Sequence, residues 1–173
     1  MIPLKDDIPA RDFPLVTVAL IAAAVAAYAF AGDRLGDHAG FWALVVGGVF
    51  LWLFGPSVED AMGRARFVLF TALGAGVTAA LDPSSAGAGV VAAVLGGYAL
   101  LYPRAHVVVL NLIPGFMTVT QVPALAVLVT WLPLQALAGG PDPAPLAGLA
   151  AGALTARVLA HRVQRDYQRA PAF

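Results

Sequence analysis

The chain has 173 residues, of which 60% are apolar and only 12% charged, with a formal net charge of zero and a mean hydropathy of +0.83. Soluble domains carry about 45–50% apolar and about 25% charged residues. A water-soluble domain could not hide this much apolar surface, so the composition defines an integral membrane protein. The hydrophobicity excludes a disordered chain. The absence of cysteine excludes a disulfide scaffold, thiol catalysis and thiolate metal sites. Balanced charge and a pI of 6.8 speak against a nucleic-acid partner.

In chain order, residues 1–12 (MIPLKDDIPARD) mix charges and do not lead into a cleavable signal peptide. Residues 13–31 form an uncharged run of 19, enough to cross about 30 Å of hydrocarbon at about 1.5 Å per residue. Residues 32–40 (GDRLGDHAG) read as a polar loop. Further spans are predicted at 39–55, 67–81, 86–102, 122–138 and 145–161. Between them, 55–66 (GPSVEDAMGRAR) reads as a charged loop, and 82–85 (DPSS) and 139–145 (GGPDPAP) as turns. The stretch 107–121 is apolar but broken by Asn111, Pro114, Gly115, Thr118, Thr120 and Gln121, so it reads as an interfacial or protein-covered segment.

Six spans place Lys5, Arg11, Arg64, Arg66, Arg104, Arg157, Arg162, Arg165 and Arg169 on one side and Arg34 alone on the other. With nine of the ten Lys and Arg residues on one face, the positive-inside rule puts that face and both termini in the cytoplasm. The expected fold is all-α, a single polytopic domain over 1–173 built as a six-transmembrane-helix bundle. Its spans are rich in Ala and Gly. The small-residue steps Ala93/Gly97 and Gly148/Gly152, with Gly87 and Gly89, mark helix packing within the bundle rather than homodimerisation.

Ionisable groups inside a span mark function, and the cores of the predicted spans hold none. Arg157 and His161 fall in final turns and can snorkel. His38 and His106 fit solvated surface positions, and Glu59 and Asp60 fit local ion pairing with Arg64. No metal or cofactor is expected, and a proton relay or a transporter of charged substrates lacks its polar groups.

Several strings together resemble one family. FLWLFGPSVEDAMGRARFVLF (50–70), VLGGYALLYPRAHVVVL (94–110) and AGLAAGALTARVL (147–159), preceded by MIPLKDDIPARDFPLVTVALIA, occur in the order and spacing of the rhomboids, six-span intramembrane serine proteases. The resemblance covers almost the whole chain, with VEDAMGR and YALLYPRA its most specific parts. It implies a Ser–His dyad in active members, the serine lying in a G-x-S-G motif atop the fourth helix. Here that motif falls on Ala86, Gly87, Ala88 and Gly89, with Ala88 at the nucleophile position. The dyad histidine falls on Pro145, and the oxyanion-hole His and Asn of the second helix fall on Ala43 and Gly47. A methyl group cannot attack a carbonyl, proline offers no base, and neither Ala nor Gly can donate a side-chain bond to an oxyanion. Moving the nucleophile to Ser85 breaks the match at Gly96, Gly97 and Tyr98. The first outer loop, 32–40, is shorter than in the proteases.

The resemblance therefore implies a rhomboid-like pseudoprotease in a bacterial plasma (inner) membrane. It binds transmembrane helices of integral membrane proteins as an accessory subunit, scaffold or assembly factor, within a hetero-oligomeric complex. The alternatives are an atypical protease with relocated groups, or a small-molecule or lipid transporter lined by Asn111, Thr118, Thr120, Gln121, Thr130 and Gln135. Trp42, Asn111, Pro114, Phe116 and Trp131 are candidate interface positions. Trp52 and Trp131 suit core packing equally well. Arg162, Arg165 and Arg169 are candidate contacts for membrane lipid headgroups.

Overall fold

The computed structural model describes residues 2–6, 13–30, 38–103, 106–113, 116–123, 126 and 143–159. They form strand β1 (Ile2–Asp6), helices α1 (Leu15–Phe30), α2 (His38–Met62), α3 (Arg64–Leu81) and α4 (Ala86–Leu101), strands β2 (His106–Ile113) and β3 (Phe116–Pro123), and helix α5 (Ala144–Leu159). The stretches Gly40–Met62, Arg64–Leu81 and Pro83–Leu101 are each long and apolar enough to cross a membrane, and α1 and α5 are shorter apolar helices. An apolar segment of that length becomes helical in lipid because only the helix satisfies every backbone polar group internally.

Facing residues give the helix directions. Thr17 of α1 meets Glu59 of α2, and Tyr28 meets Phe41 with ring centroids 6.5 Å apart, so α1 and α2 run antiparallel. Phe54 of α2 packs edge-on against Tyr98 of α4 at 4.7 Å, and a side chain at Gly47 would touch Val91, so α2 and α4 run parallel. By the same reasoning α3 is antiparallel to α4, and α5 is parallel to it. The core lies where these helices converge, around the fully buried Phe54, Val58, Phe67, Phe70, Leu95 and Tyr98. Tyr98 packs at a tilt against Tyr102 with ring centroids 5.2 Å apart, and the Tyr102 hydroxyl donates to the Ser57 carbonyl at 3.3 Å.

Three sequence expectations need correction. The stretch 55–66, read as a loop, is almost entirely helix: α2 continues through Pro56 to Met62. Val58, Ala61 and Met62 are buried, so the apolar stripe of α2 continues, and packing outweighs the one backbone bond that proline removes. The joint to α3 is Gly63 alone, at φ 81° and ψ 154°, a conformation that favours glycine. The all-α expectation holds for the bundle, but beside it β1, β2 and β3 form an antiparallel sheet in that order. His106 pairs with Pro123 and Ile113 with Phe116, and a register shift between Pro3 and Lys5 marks a bulge in β1. The β-branched residues Val107, Val108, Val109, Thr118, Val119 and Thr120 favour strands over helix. This gives the interfacial segment its form, and β1 lies against α2. Val122 and Pro123, assigned by sequence to a fifth span, belong to β3. The rest of that span lies outside the described residues apart from position 126, as does the 162–169 tail.

Between α3 and α4 the chain turns through Asp82. Its carboxylate accepts from the Ser84 N–H at 3.0 Å, the Ser84 hydroxyl at 2.7 Å and the Ser85 hydroxyl at 2.9 Å. The bonds from Ser84 foremost hold the Asp82 carboxyl below its ordinary value of 3.8. A depressed folded-state pKa stabilises the turn above that ordinary value, and the contribution is lost as pH falls through the folded pKa. The D82N variant is therefore expected to show a flatter decline in melting temperature than the wild type in acid. Parallel acid profiles would show that ionisation of the Asp82 carboxyl contributes nothing.

Candidate functional site

The positions implied by the rhomboid resemblance share one end of the bundle, where α2, α4 and α5 all begin. Ala43 is exposed on α2, and Gly47, one turn on, is half-buried. A side chain at Gly47 would meet Val91 Cγ2 of α4 at 3.3 Å. Ala88 is half-buried in the first turn of α4, with exposed Gly87 before it and buried Gly89 after it. Pro145 is fully buried in the first turn of α5. Proline suits this place, because a first-turn N–H has no intrahelical acceptor to lose. The Leu146 and Ala147 N–H groups close that turn onto the Pro143 carbonyl at 3.1 and 3.2 Å.

One turn deeper the helices close on one another. A Cβ at Gly148 would lie 2.8 Å from Thr78 Oγ1, 3.2 Å from Gly89 Cα and 3.3 Å from Ala92 Cβ. Thr78 is fully buried, and its hydroxyl donates to the Gly74 carbonyl of its own helix at 2.8 Å. Three helices thus meet on a hydroxyl whose proton is already engaged. Farther along the seam, glycine is obligatory by contact. A Cβ at Gly96 would strike the Leu149 carbonyl oxygen, one at Gly152 the Ala93 backbone, and one at Gly97 the Phe70 ring and then Ala156. The α4–α5 seam is therefore backbone against backbone, held by dispersion across a contact that larger side chains would open.

The hydroxyls nearest this end, Ser84 and Ser85, both donate to the Asp82 carboxylate. A carboxylate that accepts both protons holds the Asp82 turn closed. Trp42 and Trp52 are each 61% exposed on α2, and with Phe41, Val45 and Val49 they form an outward apolar stripe. Asn111 and Phe116 fall in β2 and β3. Pro114 and Trp131 lie outside the described residues.

The opposite end carries a polar lock that sequence reading missed. Glu59, expected to pair locally with Arg64, is instead 4% exposed and reaches α1. Its carboxylate accepts from the Val16 N–H at 3.0 Å, the Thr17 N–H at 2.8 Å and the Thr17 hydroxyl at 2.8 Å. It therefore satisfies the open first turn of α1, where the helix dipole favours negative charge. Thr17 fits because Gly55, one turn before Glu59, has no side chain: a Cβ there would come 2.7 Å from Thr17 Cγ2. The G-x-x-x-E spacing was visible in the sequence, but its partner lies 42 residues away.

A bundle of alternating apolar helices with glycine-rich crossings describes a polytopic membrane protein. The family model of the rhomboid domain matches residues 37–162, well over half of the chain. The chain belongs to the rhomboid family. Searches of curated proteins and of solved structures find no match.

Proposed function

We propose that this chain is a non-catalytic rhomboid that binds transmembrane helices of partner membrane proteins, as an accessory or scaffolding subunit or an assembly factor. The observation that carries the reading is the chemistry of four positions. Ala43, Gly47, Ala88 and Pro145, on three helices at one end of the bundle, stand where the resemblance places the oxyanion donors, nucleophile and base of the active proteases. None of their side chains can form an acyl-enzyme or donate a hydrogen bond to an oxyanion. The exposed stripe of Phe41, Trp42, Val45, Val49 and Trp52 suits contact with an apolar helix, since membrane helices associate by packing rather than by hydrophobic drive. The proposed topology has six spans with both termini in the cytoplasm, on the strength of the one-sided basic residues. The proposed site is the bacterial inner membrane.

Two measurements test this. Purified protein is expected to resist labelling by a serine-directed fluorophosphonate and to leave a transmembrane peptide intact. Labelling that S85A abolishes overturns the non-catalytic reading in favour of a relocated nucleophile. A nanodisc pulldown from the native membrane is expected to recover membrane subunits in fixed stoichiometry. A monomer that stays alone after crosslinking overturns the subunit reading.

A further inference from the structure

An apolar groove of about 290 Å³ runs between α3 and α5, lined by Leu73, Leu154, Thr155, Val158 and Leu159. Leu154 and Val158 are 70% and 75% exposed, so the groove opens sideways. Thr155 adds little polarity, because its hydroxyl donates to the Ala151 carbonyl at 2.7 Å. One end is marked by charge. Arg66, exposed in the first turn of α3, donates from one guanidinium nitrogen to the Leu159 carbonyl at 3.3 Å. Leu159 is itself a wall of the groove. A guanidinium has five N–H donors in a planar fork, and this is the one bond it makes among the described residues, which leaves donors for an anion at the mouth.

The dimensions suit part of an acyl chain. Leu73 lies seven residues beyond Arg66, about 10 Å along a helix axis at about 1.5 Å per residue. Half of a hydrocarbon core of about 30 Å is about 15 Å. From Arg66 the groove thus covers about two-thirds of that length. That is the path of an acyl chain whose phosphate sits beside Arg66. A second helix is about 10 Å across with its side chains, which is broad for a seat walled by five residues of two touching helices.

We propose that this groove holds an acyl chain of an anionic phospholipid, with Arg66 meeting the phosphate. The site is independent of the degenerate positions at the other end of the bundle. The test uses the full chain reconstituted in vesicles of equal parts phosphatidylcholine and phosphatidylglycerol, extracted in mild detergent and weighed by native mass spectrometry. One phosphatidylglycerol retained per chain, in preference to phosphatidylcholine, is expected. R66Q is expected to lower retention about fivefold, the scale of one basic residue at an anionic surface. R66K is expected to retain most of it. L154W, which fills the groove, is expected to abolish retention, whereas V68W, on α3 outside the groove, is expected to leave it unchanged. Melting curves establish that each variant is folded, and R66Q carries the test by itself if L154W unfolds. Equal retention of the two lipids overturns the proposal. So does retention that neither R66Q nor L154W alters, and so does loss of a co-purifying membrane protein, rather than of lipid, when L154W is extracted from the native membrane instead.

Discussion

Glu59→Leu is expected to destabilise the protein by about 3 kcal/mol or more, because it leaves two backbone N–H groups and the Thr17 hydroxyl without their acceptor at a buried site. By the ratio for domains of this length, the melting temperature falls by roughly 6–12 °C. Glu59→Gln keeps one acceptor oxygen and loses the charge, so an intermediate loss of about 1–2 kcal/mol is expected. Melting in mild detergent, followed by circular dichroism, reads both. A double-mutant cycle with Thr17→Val isolates the side-chain pair, with a coupling of about 0.5–3 kcal/mol expected for groups in direct contact. Equal melting of E59L and wild type would show that water satisfies the first turn of α1 as well as the carboxylate does. The lock holds the first turn of α1 to α2, so its loss is expected to free the start of α1 before the rest of the bundle.

The second large effect lies on the α4–α5 seam, and it reverses sign with position. Gly152→Ala sets a methyl group into the Ala93 backbone. Backbone cannot rotate aside as a side chain can, so the two helices must separate, at a cost of about 1–3 kcal/mol. Gly76→Ala on α3 meets nothing within 4 Å. There the substitution removes a helical glycine and is expected to stabilise by about 0.5–1 kcal/mol. The same chemical change thus raises the melting temperature on one helix and lowers it on another. A neutral or stabilising Gly152→Ala would mean that α4 and α5 do not approach as closely as described.

How much of this could be read beforehand depends on the range of the cause. Apolar runs are local, so the helices around 15–30, 64–81, 86–101 and 144–159 were visible in hydropathy and length. The Ala and Gly steps were visible as spacing, but which small residue meets which is a property of two chain segments at once. Spacing does not predict that Gly152 lies on Ala93 rather than on lipid. Gly55–Pro56 followed by charges reads as a break under local rules. The helix persists because Thr17 fills the notch over Gly55 and Val58 goes fully buried, and both facts are tertiary. The sheet escaped because apolar content was weighed there before β-branching, and because β1 comes from residues about a hundred positions earlier in the chain. At the candidate site the identities of Ala43, Gly47, Ala88 and Pro145 were plain in sequence. The closure beneath them, with Thr78 between α4 and α5, was not.

The single-residue joint at Gly63 makes the phase of one helix the phase of the next. A helix turns about 100° per residue. One residue added or removed there would swing the Phe67, Phe70, Gly74 and Thr78 face of α3 away from α4 by more than a quarter turn, with no slack to absorb it. Length variation is therefore not tolerable at this joint, and α2 and α3 are phased as one preset hairpin.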